Sequence, residues 1–173
     1  MFDWEGDGFL HLVEDRVRDH PDRIYASEFT PGGLVTHRLA DIAARTEALA
    51  AGLAARGIVK GDRVACMMDT HSDYLCAVLA IARLGAVWVP VGTRLLPANL
   101  DYIFAEAGVQ FVIAETALGE VVAQAGHPGV PVVLRGGSLA EALAEDGAAP
   151  AVTVDPSDIL MISFTSGTTG RPK

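Results

Sequence analysis

The spacing of apolar positions switches along the chain between a helical and a strand period, and each switch marks an element. Phe9, Leu10, Leu12, Val13 and Val17 lie on one helical stripe, which His20 and Pro21 end because proline restricts the residue before it. Residues 24–29 alternate as a strand, Pro31, Gly32 and Gly33 supply turn chemistry, and residues 34–36 return antiparallel, which predicts a hairpin. Thr36 is placed to cap the next helix. Leu39, Ile42, Ala43, Leu49 and Leu53 define that helix as far as Arg56, and Gly57 offers a left-handed exit.

The polar alternation then disappears. Residues 64–68 form a near-continuous apolar run of strand length, and the same pattern returns at 86–89, 111–114 and 130–134. Helical segments separate these runs: one capped by Ser72 and closed by Gly85, one opened by Pro97 and closed by Gly108, and a weaker one over 118–124. A polar-edged helix is expected to begin at Gly137 and Ser138 and to fade by Ala149, and Asp155, Pro156, Ser157 and Asp158 read as a turn before a last strand over 159–164. Apolar strands alternating with helices predict an α/β protein, a partial layered αβα fold with a mostly parallel sheet. The organisation expected is a helix, hairpin and long helix over 1–57, then a doubly wound part over 58–173 that ends as an incomplete domain.

Composition narrows the class without changing that picture. The chain has 173 residues, 50% hydrophobic and 20% charged, which fits a globular protein. Asp and Glu number 22 against 13 Lys and Arg, a formal charge of -9 that disfavours nucleic acid as a partner. Acidic residues open the chain where a secretory signal would be basic and then apolar, and the longest apolar run, over 84–91, is too short to span a membrane, so a cytoplasmic location is expected. Cys66 and Cys76 read as buried thiols, and the five histidines are scattered singly, so they are expected at the surface and no metal constellation is predicted.

Candidate chemistry gathers in the last nine residues, Thr165, Ser166, Gly167, Thr168, Thr169, Gly170, Arg171, Pro172 and Lys173. Glycines let backbone N–H groups approach phosphate oxygens, while hydroxyls and an ammonium add donors. A plain turn needs none of this. A Walker loop fails because only two residues separate Gly167 from Gly170, and Arg171 and Pro172 intervene before Lys173. No Gly-x-Gly-x-x-Gly opens a helix after a strand.

This loop resembles, at every position, the phosphate-loop signature of the AMP-forming adenylating enzymes, the superfamily of acyl-CoA synthetases, luciferases and peptide-synthetase adenylation domains. Upstream, Lys60-Gly61-Asp62-Arg63-Val64-Ala65 and the block over 80–91 resemble that family's first blocks. Val91-Gly92-Thr93-Arg94-Leu95-Leu96 is closer to the acyl-CoA synthetase form than to the acidic segment of amino-acid adenylating domains. The resemblance implies that a carboxylic acid attacks ATP to give an acyl-adenylate and pyrophosphate, after which the coenzyme A thiol displaces AMP, with Mg2+ as cofactor and fatty acid metabolism as setting. It implies that Thr165, Ser166, Thr168, Thr169 and Lys173 donate to phosphate oxygens, that Gly167 and Gly170 permit close approach, and that Pro172 stiffens the exit.

The same resemblance implies no catalytic residue and no metal ligand within this chain. The adenine, ribose, magnesium and acyl contacts and the adenylation lysine of the family lie beyond the phosphate loop. The chain is therefore expected to be an amino-terminal fragment, inactive alone, whose partner is the missing carboxy-terminal portion of the same protein. Its exposed apolar faces are expected to limit its solubility. An amino-acid adenylation domain, a non-enzymatic α/β binding module and a decayed ligase are the alternatives.

Overall fold

The computed structural model describes residues 9–127, 129–143 and 147–165. The first stripe forms helix α1 (Phe9–Asp19). Strands β1 (Ile24–Thr30) and β2 (Gly33–Arg38) pair antiparallel as the expected hairpin. Gly33 takes a φ of 114°, and the Thr30 hydroxyl closes the turn by accepting from Gly32 N–H at 3.2 Å and donating to the Gly33 carbonyl at 3.0 Å. Helix α2 (Leu39–Ala55) follows directly, with Gly57 leaving it at a φ of 87°.

Thr36 does not cap α2. It stays in the hairpin opposite Ser27, and the cap falls on Arg38, whose N–H donates to the Asp41 carboxylate at 3.4 Å. An N-terminal carboxylate also suits the positive end of the helix.

The apolar runs become strands β3 (Arg63–Met67), β4 (Val87–Pro90), β5 (Phe111–Glu115) and β6 (Val132–Arg135) of one parallel sheet in the order β4-β3-β5-β6. Between them run α3 (Ser72–Arg83), α4 (Pro97–Ala107) and α5 (Gly119–Ala123), and α6 (Leu139–Ala142) follows β6. Three expectations are corrected in length. The helix over 118–124 divides into a 3-10 turn, Thr116–Leu118, and α5. The last strand of the set begins at Val132, because Pro131 has no N–H for a ladder and offers only its carbonyl, which accepts from Val112 N–H at 2.9 Å. The helix after Ser138 is short, capped where the Ser138 hydroxyl accepts from Glu141 N–H at 3.1 Å.

Alternation along the strands sorts their side chains into two cores. Val64, Cys66, Phe111 and Ile113 face α2, α3 and α6, packing with Ile42, Leu53, Ile81 and Leu139. Ala65, Met67, Val112 and Ala114 face α4 and α5, packing with Leu100, Phe104 and Val122. The result is an αβα sandwich. From β3 the chain steps through α3 to β4 on one side, then crosses over β3 through α4 to reach β5 on the other, and right-handed crossovers accordingly put α3 and α4 on opposite faces.

The segment over 159–164 is less regular than expected. It meets the outer side of β4 through a single parallel bridge, with Trp88 N–H donating to the Leu160 carbonyl and Ile162 N–H to the Trp88 carbonyl, each at 3.0 Å. Ile162 and Phe164 pack toward the α4 core, and the Phe164 ring meets Tyr102 edge to face at 6.4 Å. Ile159 is 63% exposed, since among the described residues nothing pairs with the segment's far side.

Helix α2 touches α6 through Gly52. A Cβ at that position would overlap the Leu143 carbonyl, while the Arg56 guanidinium donates to Gly52 O at 2.9 Å and Ala142 O at 3.2 Å. Alanine would gain about 1 kcal/mol of helix propensity, but backbone overlap in a packed core costs about 1–3 kcal/mol and does not relax by rotating a side chain. Gly52→Ala is expected to lower the denaturation midpoint in urea without changing the slope of the transition.

Candidate functional site

Because α3 leaves β3 toward one face and the chain after β5 continues the other way, a crevice opens at the carboxyl ends of β3 and β5, the place where open α/β sheets bind ligands. It is a cleft of about 540 Å³ lined by Asp69, His71, Thr93, Glu115, Thr116 and Arg135, drawn from the ends of all four strands. Thr93 donates to the Asp69 carboxylate at 3.3 Å.

His37, His71 and His127 are half-buried rather than scattered on the surface, and the first two are built into the carboxyl end of the fold. His71, not Ser72, caps α3: its Nδ1 accepts from Tyr74 N–H at 3.2 Å. With Nδ1 accepting, the proton is on Nε2, which donates to Glu115 at 2.9 Å. His37 in β2 lies 3.1 Å from the Glu28 carboxylate of β1. Sequence spacing missed both because their partners lie on other elements.

These pairs belong to one polar network. Glu28 accepts from Ser72 N–H at 2.7 Å and from the Ser72 hydroxyl at 3.2 Å, which ties the hairpin to the start of α3. Asp73 in α3 is buried and accepts from Arg45, from Arg135 Nε at 2.7 Å and from Leu139 N–H at 3.0 Å. Arg135 also donates to Glu115 at 3.2 Å. Burial works to raise the Asp73 carboxyl, but the donors from Arg135, Leu139 and Arg45 outweigh it and hold the group below its ordinary value. Glu28 is lowered as well, chiefly by the Ser72 N–H.

The cleft is therefore a poor polyphosphate site by itself. Asp69 and Glu115 present carboxylates, and the Arg135 guanidinium is already engaged by Asp73 and Glu115. Among the described residues no three His, Cys, Asp or Glu side chains gather to hold a metal ion. Burial pushes the Cys66 thiol up to about 12 and the Cys76 thiol up to about 11, so neither supplies a thiolate.

Of the sequence-derived site residues, Thr165 lies exposed just past the bridge to β4, at the carboxyl end of the sheet. Ser166, Gly167, Thr168, Thr169, Gly170 and Lys173 lie outside the described residues. The upstream blocks serve the opposite, amino end. Gly61 N–H donates to Gly85 O at 2.9 Å, Val87 N–H to Asp62 O at 2.7 Å, and Arg63 Nε to Ala107 O and Gly108 O at 3.1 and 3.0 Å, closing the end of α4.

A parallel sheet covered on both faces, with its strand order reversing between β3 and β5, defines a doubly wound α/β layer. The chain belongs to the family described as AMP-binding enzyme, whose profile matches residues 13–173. It is 42% identical over 127 residues to the long-chain-fatty-acid–CoA ligase FadD13 of Mycobacterium tuberculosis, covering 70% of this chain and 25% of that protein. It is 36% identical over 134 residues to a feruloyl-CoA synthase of an Amycolatopsis species, covering 78% of this chain and 26% of the relative. The inhibitor-bound crystal structure of the N-terminal domain of FACL13 from Mycobacterium tuberculosis superposes with a TM-score of 0.80 at 31% identity, covering 96% of this chain and 43% of that one. The chain thus spans about a quarter of the length of these curated relatives. No helix among the described residues is long and apolar enough to cross a membrane.

The lowered carboxyls set a pH dependence. Glu28 and Asp73 bind protons less tightly in the folded state than in the unfolded one, so their contribution is present above the ordinary values of 4.5 and 3.8 and is lost as pH falls through the lowered native values. Asp73→Asn leaves two guanidinium groups and a buried N–H with a weakened acceptor, and is expected to cost about 2–4 kcal/mol near pH 7. In urea titrations run from about pH 7 down to about pH 3, the gap to the wild type should narrow toward acid.

Proposed function

We propose that this chain is the amino-terminal part of an ATP-dependent acyl-CoA synthetase. The observation that carries the reading is that a segment docked parallel on β4 brings Thr165, the first residue of the glycine- and hydroxyl-rich sequence, to the carboxyl end of the sheet. The CoA-ligase names of the relatives FadD13 and feruloyl-CoA synthase support it, as does the form of the segment over 91–96.

In this reading a carboxylate oxygen attacks the α-phosphorus of ATP, a P–O bond forms, and the bridge to the β-phosphate breaks to release pyrophosphate. Coenzyme A sulfur then attacks the acyl carbon, its thiol proton is lost, and AMP leaves. The hydroxyls of Thr165, Ser166, Thr168 and Thr169 and the Lys173 ammonium donate to the β- and γ-phosphate oxygens, where charge grows on the leaving group. Gly167 and Gly170 let backbone N–H groups reach the same oxygens. Mg2+ would supply charge neutralisation in such a reaction, but among the described residues no group of three His, Cys, Asp or Glu side chains is placed to hold it.

The test is carboxylate-dependent ATP–pyrophosphate exchange by the complete protein that carries this chain, with fatty, aryl and amino acids as substrates. Exchange with fatty or aryl acids, followed by acyl transfer to coenzyme A, is the expected result. Thr168→Ala and Lys173→Ala should each lower exchange on the order of tenfold or more, and the 173-residue chain alone should show none. Exchange confined to amino acids would turn the reading toward an adenylation domain, and none with any acid toward a binding module.

A further inference from the structure

Lys60 reaches across the amino end of the sheet to the turn that precedes the terminal segment. Its ammonium donates to the Thr153 carbonyl at 3.1 Å and lies 2.6 Å from the Asp158 carboxylate. The turn is otherwise closed on itself: Asp155 N–H donates to the Asp158 carboxylate at 2.7 Å, Asp158 N–H to Asp155 O at 2.8 Å, and Ser157 N–H to the Asp155 carboxylate at 2.9 Å. Those bonds shape the turn without attaching it to the body of the protein. Lys60 attaches it, through Asp158 at one end and the Thr153 carbonyl just before the other.

The route of the lysine stem explains a glycine. Gly85 has a φ of 63°, and a Cβ there would stand 2.9 Å from Lys60 Cγ and 3.3 Å from Cδ. The bare Cα lets the stem cross, while the Gly85 carbonyl accepts from Gly61 N–H and holds the turn that carries the lysine. Three separate stretches of sequence, the Lys60-Gly61 pair, Gly85 and the turn over 155–158, thus form one device.

We infer that Lys60 is a positioning residue for the phosphate loop, fixing through Asp158 and Thr153 where the segment leading into Thr165 lies along β4. The inference rests on the synthetase reading given above. Two backbone bonds, both to Trp88, and the packing of Ile162 and Phe164 toward the α4 core hold the downstream part of this segment, whereas its upstream end, where Ile159 is exposed, gains little from so short a ladder and is free to shift. A slip of one residue moves the chain by about 3.3 Å, far beyond the tolerance of a hydrogen bond. Anchoring the turn just upstream removes that freedom. The loop's donors act on a charge that grows at a defined point, so a small displacement weakens them.

Lys60 and Asp158 are 43% and 26% exposed, which bounds the effect. Exposed pairs contribute up to about a fivefold change in an equilibrium. In the complete protein, Lys60→Met is expected to raise KM for MgATP about three- to fivefold, with kcat changed less than about twofold and KM for the acid unchanged. Lys60→Arg, which keeps the stem and the charge, should behave as wild type. Asp158→Asn should match Lys60→Met, and the double variant should be no worse than either single one. Amide hydrogen exchange gives a readout independent of activity: Lys60→Met should speed exchange at Ile162 and Trp88. Unchanged KM for MgATP in an active protein, additive single effects, or unchanged protection at Ile162 each overturn the inference. A wild-type protein without exchange activity overturns the synthetase reading instead, and Ile162 protection then still decides whether Lys60 holds the segment.

Discussion

Burial of β3 on both faces is the constraint on which the rest of the structure depends. Val64, Ala65, Cys66 and Met67 are all fully enclosed, so helices must cover the sheet on each side. A single helix between strands cannot cover both faces. The crossover from β4 over β3 to β5 solves this, because it moves α4 to the face that α3 leaves open. With both faces dry, polar side chains are confined to the two ends of the strands.

The two ends have been given different tasks. The amino end is closed mainly by backbone: Gly61 to Gly85, Val87 to Asp62, and Arg63 across the last carbonyls of α4. The carboxyl end is held by side chains. Glu28, His37, Arg45, His71, Asp73, Glu115 and Arg135 join the hairpin, α2, α3 and the ends of β5 and β6. Backbone closure fixes a loop in one geometry, whereas a side-chain network leaves strand ends open enough to form a cleft. The blocks at Lys60 and around Gly85 therefore shape the sheet, while the cleft opens at the other end.

Period and punctuation carried the fold. The positions of Pro97, Gly57, Gly85 and Gly108 fix where helices start or stop, since those residues constrain φ locally and need no distant partner. Capping was harder to see. Thr36 and Ser72 have suitable hydroxyls, yet the caps fall on Arg38 and His71, because hairpin pairing claims Thr36 and the Glu28 carboxylate claims the Ser72 hydroxyl. His71 and Asp73 gave no spacing signal, as their partners Glu115 and Arg135 are 44 and 62 residues away in sequence. The terminal segment read as a full strand because all its residues but Ser163 are apolar, but strand content also needs neighbours, and β4 provides only one among the described residues.

Electrostatics then constrains what the carboxyl end can bind. The chain carries a formal charge of -9, and the cleft adds Asp69 and Glu115 to that field. The guanidinium groups of Arg45 and Arg135 are committed to Asp73, so they offer a polyphosphate little attraction. An anion held at this end would have to be met at close range by hydrogen-bond donors, since charges more than about 10 Å apart are largely screened at ordinary salt. Direct donors work only when placed to within a few tenths of an ångström. A protein of this charge thus depends on position more than on field, which gives the anchoring of a two-bond segment a weight out of proportion to the small energy of the ion pair that provides it.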